Sequence, residues 1–222
     1  MMPEQLSFDL PVREALGRDD FFVSPANAQA VAMIESWQTW PARKLLLIGP
    51  EGAGKTHLAH VWAVLSDARI LAAGALAQAD IPALARTHLA IEDCDAVAGD
   101  KAAEEALFHL HNLALAEGRS ILMTGTRAPR DWGLMLPDLA SRIEGTPATT
   151  LREPDDALLA AVLMKLMDDR QLSPTPNTIP YLVRRIDRSF AAARKVVAGL
   201  DALALETQSP ITRRLATKLL DK

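Results

Sequence analysis

The octet Gly49-Pro50-Glu51-Gly52-Ala53-Gly54-Lys55-Thr56 follows directly on the apolar run Leu45-Leu46-Leu47-Ile48, and no other feature restricts the fold of this chain as much. A buried strand that ends in a glycine-rich turn and re-enters as a helix aims consecutive backbone N–H groups at one point, beside the positive end of the helix. Such a point suits a phosphate. Lys55 is spaced to reach the β- and γ-phosphates of a nucleotide, and the Thr56 hydroxyl to ligand Mg²⁺. With Gly at about 7% of residues in general, a chain of this size meets the pattern by accident about once in a hundred. With His57 next in the helix, residues Gly49 to His57 form the expected nucleotide-binding set.

At 222 residues the chain is long enough for one α/β domain and a small appendage. Its longest apolar run is far short of the roughly 18 residues that span a bilayer, and its start lacks a basic segment followed by an apolar core, so a soluble, cytoplasmic protein is expected. Cys94 is the sole cysteine, which excludes an intramolecular disulfide and fits a reducing compartment. Its neighbours mark it as a small buried residue. A net charge of −4 argues against strong binding to a nucleic-acid backbone, which needs a clustered basic face. Arg184, Arg185, Arg188, Arg194, Lys195, Arg213, Arg214 and Lys218 fall late in the chain and read as solvated helix faces. No recognition-helix or zinc-finger pattern accompanies them.

Periodicity organises the rest. Residues 1–19 lack sustained periodicity and read as an extended tail. A helix is expected over 25–37, then strand and helix alternate: strands over 44–48, 69–71, 89–91, 120–126 and 149–151, helices over 55–65 and 104–116. That alternation predicts a five-stranded parallel sheet with helices on both faces. Beyond Pro154 four helices are expected, over 155–167, 177–186, 189–205 and 212–220, with Asp155 capping the first and Pro210 setting off the last. The organisation predicted is a tail (1–19), a nucleotide-binding base (20–153) and a helical lid (154–222).

A second nucleotide signal ends the third strand, Leu89-Ala90-Ile91-Glu92-Asp93. Carboxylates at a strand end beside a phosphate loop can hold Mg²⁺ and orient an attacking water, so Glu92 and Asp93 are candidate catalytic residues and Glu92 joins Thr56 as a candidate metal ligand. The order of phosphate loop, acidic strand end, Thr124-Gly125-Thr126-Arg127-Ala128-Pro129-Arg130 and Leu136-Pro137-Asp138-Leu139-Ala140-Ser141-Arg142 resembles the DnaA/Hda family of AAA+ replication proteins. The resemblance covers essentially the whole chain. It is nearer the Hda branch, whose regulators lack the initiator's DNA-binding domain.

The resemblance implies an AAA+ base and lid that bind ADP or ATP with Mg²⁺, and it gives several residues a role. Phe22-Val23-Ser24-Pro25-Ala26-Asn27 stands where the family's N-terminal segment packs on adenine, so Phe22 and Val23 join the nucleotide set. Arg142 matches the arginine finger, which acts in trans on a nucleotide bound by a neighbouring subunit; a permanently charged, planar guanidinium suits that task. Gln5-Leu6-Ser7-Phe8-Asp9-Leu10 resembles the family's sliding-clamp peptide, with Gln5 at the pocket rim and Leu6, Phe8 and Leu10 as apolar anchors. Three departures bear on turnover. Glu92 replaces the usual Asp, Thr126 replaces an acidic sensor residue, and the second sensor arginine falls on Ala191, with Arg194 one turn later.

Together these imply a regulator with weak or no intrinsic ATPase that docks on the clamp and promotes hydrolysis of DnaA-bound ATP, with a homodimer compatible. A self-contained ATPase of the helicase-loader type and a non-catalytic, nucleotide-locked clamp adaptor are the alternatives. The histidines (His57 and His60, His109 and His111) do not form a metal set, and Trp37, Trp40, Trp62 and Trp132 read as packing residues.

Overall fold

In the computed structural model, which describes residues 21–221, the apolar run is β1 (Lys44–Ile48). It lies in one parallel sheet with β2 (Arg69–Ala72), β3 (Leu89–Glu92), β4 (Ile121–Gly125) and β5 (Ala148–Thr150), in the order β2-β3-β4-β1-β5. Parallel neighbours need crossovers, and helices supply them. α1 (Ala28–Glu35) precedes β1, and α2 (Lys55–Ser66), α3 (Ile81–Leu84), α4 (Lys101–Ala116) and α5 (Pro137–Glu144) lie between successive strands.

Continuous apolar strands are explained by burial on both faces. Leu46, Leu89, Ile91, Ile121 and Met123 pack to one side with α4 and α5. Leu45, Leu47, Ala90 and Leu122 pack to the other with α1 and α2. A third core, built around Leu159, Leu163, Leu182, Val197 and Leu200, joins α6 (Asp156–Asp168), α7 (Thr178–Val183), α8 (Phe190–Thr207) and α9 (Arg213–Leu220). Asp155 caps α6 through the Leu158 N–H (2.8 Å), Ser189 caps α8 through Ala192 (3.0 Å) and Thr212 caps α9 through Leu215 (3.3 Å). Among the described residues no helix is long and apolar enough to cross a membrane.

The elements depart from expectation at several places, among them α7, which stops at Val183 short of the expected 186. The first helix is shorter, because the Ser36 hydroxyl bonds back to the Ala32 carbonyl (2.8 Å) and the chain tightens into a 3-10 turn at Trp37–Thr39, a competition typical of serine near a helix end. α4 starts earlier, at Lys101, where Asp100 caps the Ala102 and Ala103 N–H groups. The short helices α3 and α5 are absent from the sequence-based outline, and α5 carries Arg142.

Candidate nucleotide-binding site

The loop after β1 has the backbone its glycines permit. Gly52 (φ 73) and Gly54 (φ 98) are left-handed, and Gly54 is the N-cap of α2. The buried Lys55 folds its ammonium onto the loop, donating to the Gly49 carbonyl (2.7 Å) and the Pro50 carbonyl (3.0 Å). Burial lowers its basicity, while the carboxylates of Asp93, Asp95, Glu51 and Glu92 act in the opposite sense. The first-turn N–H groups of α2 stand at the end of an exposed loop, the geometry that receives a phosphate.

This loop floors a cleft of about 1230 Å³. Glu51, Gly52, Gly54, Lys55, Thr56 and His57 line it on one side and Phe190, Ala191, Arg194, Val162 and Leu166 of the C-terminal helices on the other. The two sides touch. The Phe190 N–H donates to the Gly52 carbonyl (2.9 Å), and a Cβ on Gly52 would come within 2.7 Å of the Ser189 Cβ, one on Gly54 within 3.0 Å of the Phe190 ring. Phe21 stands edge-on to His57 with ring centroids 5.0 Å apart. The buried Asn27 clips the segment before α1, accepting from the Ser24 N–H (2.8 Å) and donating to the Phe22 carbonyl (2.8 Å). Phe22 thereby lines the cleft, whereas Val23 is exposed and outside the lining. Gly49 and Ala53 are buried and Pro50 is exposed, and none of the three lines the cleft. Ala191 and Arg194 both reach the cleft wall, one turn apart on α8.

The carboxylates are arranged differently from the sequence expectation. Glu92, the half-buried last residue of β3, does not line the cleft; Asp93 and Asp95 do. Asp93 is left-handed (φ 55), and its N–H donates to the Thr124 hydroxyl (2.9 Å). The 3-10 turn Cys94–Val97 then returns Asp95 to the cleft, where it accepts the Thr126 N–H (2.9 Å) and the Thr126 hydroxyl. So a carboxylate does reach the place where Thr126 stands for an acidic residue. Sequence reasoning missed Asp95, although it lies in the same acidic run. Among the described residues no three His, Cys, Asp or Glu side chains gather as a metal cage. A divalent ion here would rest on Thr56, one or two carboxylates and the phosphates themselves, a donor set that fits Mg²⁺. Cys94 is fully buried, and burial pushes its thiol far up, away from reactivity.

Arg142 is elsewhere. It is exposed on α5, and its carbonyl accepts from the Lys44 ammonium (3.0 Å) at the first residue of β1. The phosphate loop leaves the last residue of that strand, about 13 Å away at 3.3 Å per residue. Gln5, Leu6, Phe8 and Leu10 lie outside the described residues.

No family model matches the chain. Chromosomal replication initiator protein DnaA of Thermomicrobium roseum is 27% identical over 91% of the chain, which spans about half (48%) of that relative. The crystal structure of domain III of Thermotoga maritima DnaA superposes with a TM-score of 0.82 at 18% identity, covering 96% of this chain and 98% of that one. AMPPCP-bound DnaA from Aquifex aeolicus gives 0.70 at 18% identity, covering 84% and 64%. The chain therefore has the AAA+ fold of DnaA domain III, with the five-stranded parallel sheet expected from its sequence.

Proposed function

We propose that this chain, a DnaA-like AAA+ domain in sequence and fold, is an Hda-type regulator that holds an adenine nucleotide in its own cleft and promotes hydrolysis of ATP bound to DnaA. In this reading residues 20–153 are the base and 154–222 the lid, and the nucleotide between them, with Mg²⁺, fixes their relative angle. The observation that carries the reading is the position of Arg142. It is exposed at the edge of the sheet opposite its own phosphate loop, outside the lining of its own cleft, so it is presented to a nucleotide held by another subunit. An arginine supplied in trans is worth about 10³- to 10⁵-fold in phosphoryl transfer. Gln5, Leu6, Phe8 and Leu10 would tether the chain to the sliding clamp, raising its local concentration near DnaA.

The test is single-turnover hydrolysis of DnaA-bound ATP with and without this chain and DNA-loaded clamp. Acceleration that needs the clamp and is lost in Arg142→Ala is the expected result. Equal acceleration by the variant would sink the trans role. One observation favours a second reading, a self-contained ATPase of the helicase-loader type: Asp93 and Asp95 line the cleft beside Lys55 and Thr56. ATP turnover by the chain alone, abolished in Asp93→Ala or Asp95→Ala, would select it.

A further inference from the structure

Helix α5, which presents Arg142, has little of its own to hold it. It is two turns long with Leu139 and Ile143 as its buried residues, far below the length at which an isolated helix persists. Two buried ions from distant elements hold its ends instead. At the N-terminal end, Glu104 of α4 is 1% exposed and accepts the N–H groups of Met135 (2.9 Å) and Leu136 (2.7 Å), the latter being the N-cap residue. The same carboxylate takes the Gly99 N–H (3.0 Å) from the turn that follows Asp95. At the C-terminal end, Lys44 is 8% exposed and donates to the Arg142 carbonyl, to which the Thr146 hydroxyl also donates (2.9 Å).

Among the described residues neither ion is paired with an opposite charge on a side chain. Burial pushes the Glu104 carboxyl up, but the N–H groups of Met135, Leu136 and Gly99 outweigh it and hold it below the usual carboxylate range, so it is ionised. An anion at the start of a helix and a cation at its end both match the helix dipole. Burying an ion without a counter-ion is costly, and here backbone groups that an apolar residue would leave unsatisfied offset that cost. Lys44 and Arg142 also line one pocket of about 480 Å³, with Asp138 and Ser141.

We infer that Glu104 and Lys44 are positioning residues, a pair of buried charges that clamp α5 at both ends and set the direction in which Arg142 is presented to a neighbouring nucleotide. The inference rests on the trans role proposed for Arg142. Its test uses the full chain carrying Glu104→Gln, Lys44→Met or Lys44→Arg, read three ways: affinity for ADP, the maximal rate and half-saturating concentration in DnaA-ATP hydrolysis, and the mobility of a nitroxide attached through Ser141→Cys. A misaimed group costs up to about 100-fold in rate. Expected are unchanged ADP affinity, a maximal rate about 10- to 100-fold lower in Glu104→Gln and Lys44→Met with little change in half-saturation, a more mobile nitroxide in both, and recovery in Lys44→Arg.

Wild-type rates in both variants, where Arg142→Ala loses the rate, would overturn the clamp and leave the trans role standing. If Arg142→Ala keeps the rate, the trans role fails first, and an unaltered nitroxide spectrum in the two variants would then overturn the clamp as well. Should Glu104→Gln not bind ADP, and so not be folded, Lys44→Met and Lys44→Arg carry the test.

Discussion

Substituting Gly52 by alanine probes the contact that closes the cleft. Two costs separate cleanly. A Cβ at φ 73 is in the left-handed region, which costs about 1–2 kcal/mol for an L-residue. The same Cβ would stand 2.7 Å from the Ser189 Cβ and 3.2 Å from its Oγ, while its 3.5 Å approach to the Ala191 Cβ is ordinary contact. Forcing one methyl into such a space costs about 1–3 kcal/mol. Ser189→Gly removes both clashing atoms and, as a cap replacement by glycine, costs a few tenths of a kcal/mol itself. Gly52→Ala should therefore cost about 2–5 kcal/mol in the wild type and about 1–2 kcal/mol in a Ser189→Gly background. For a chain of this size each kcal/mol lowers Tm by about 2–4 °C, so a thermal melt of the four proteins resolves the difference. ADP titration of the same four should follow the same order, because displaced C-terminal helices no longer complete the cleft. Equal Tm losses in both backgrounds would refute the packing of Ser189 on the loop.

Lys55→Ala should weaken ADP by about 10- to 100-fold, since a buried, charge-assisted donor is lost from the phosphate site, and calorimetric titration checks it. Asp95→Ala should abolish most of the Mg²⁺-dependent gain in nucleotide affinity and leave Mg²⁺-free binding nearly intact, whereas Glu92→Ala should do little; the reverse pattern would return the metal role to Glu92. His111 gives a pH dependence. Burial first and then the Lys44 charge press it from 6.5 down to about 4, with the hydrogen bond to Asn112 opposing and the Arg142 charge adding a smaller push the same way. The unfolded chain thus takes up a proton as pH falls below 6.5 that the folded chain refuses until about pH 4, and about 3 kcal/mol of stability is lost across that window. Urea midpoints measured from pH 7 to 4.5 should fall in the wild type and stay flatter in His111→Gln; an undiminished acid dependence in the variant would reject the assignment.

What could be read from sequence follows from how local each feature is. β1 was legible because four consecutive apolar residues before a glycine turn have few alternatives, and α6 because Asp155 and an apolar stripe announce it. α5 was not, because it contributes two buried residues and is held by ions 31 and 98 positions away. Asp95 escaped for a different reason. Its return to the cleft depends on a left-handed Asp93, a backbone state that a non-glycine residue does not advertise. The contact of Gly52 with the start of α8 was equally hidden, since it joins the loop to Ser189 and Phe190 across more than half of the chain.

The polarity of a parallel sheet ties these parts together. Every strand points the same way, so the phosphate loop, Asp93 and Thr126 gather at one edge of the sheet, while Lys44 and the end of α5 gather at the other. A cleft at one edge and an arginine at the opposite edge cannot both be used in one self-complementary patch, as a two-fold dimer would require. Mating Arg142 to a cleft is a head-to-tail contact that leaves one free cleft and one free arginine. On the proposed function the free cleft is the chain's own, and that explains why it would be a holder of nucleotide before it is a site of turnover. Its nucleotide faces no arginine from DnaA in this pairing, and what it stabilises is the lid contact at Gly52. Thr126 is hydrogen-bonded to Asp95, the chain runs on from Asp95 to Gly99, and the Gly99 N–H donates to Glu104 at the start of α5, so on the proposed function the edge that holds one nucleotide is physically continuous with the helix that would be aimed at the next.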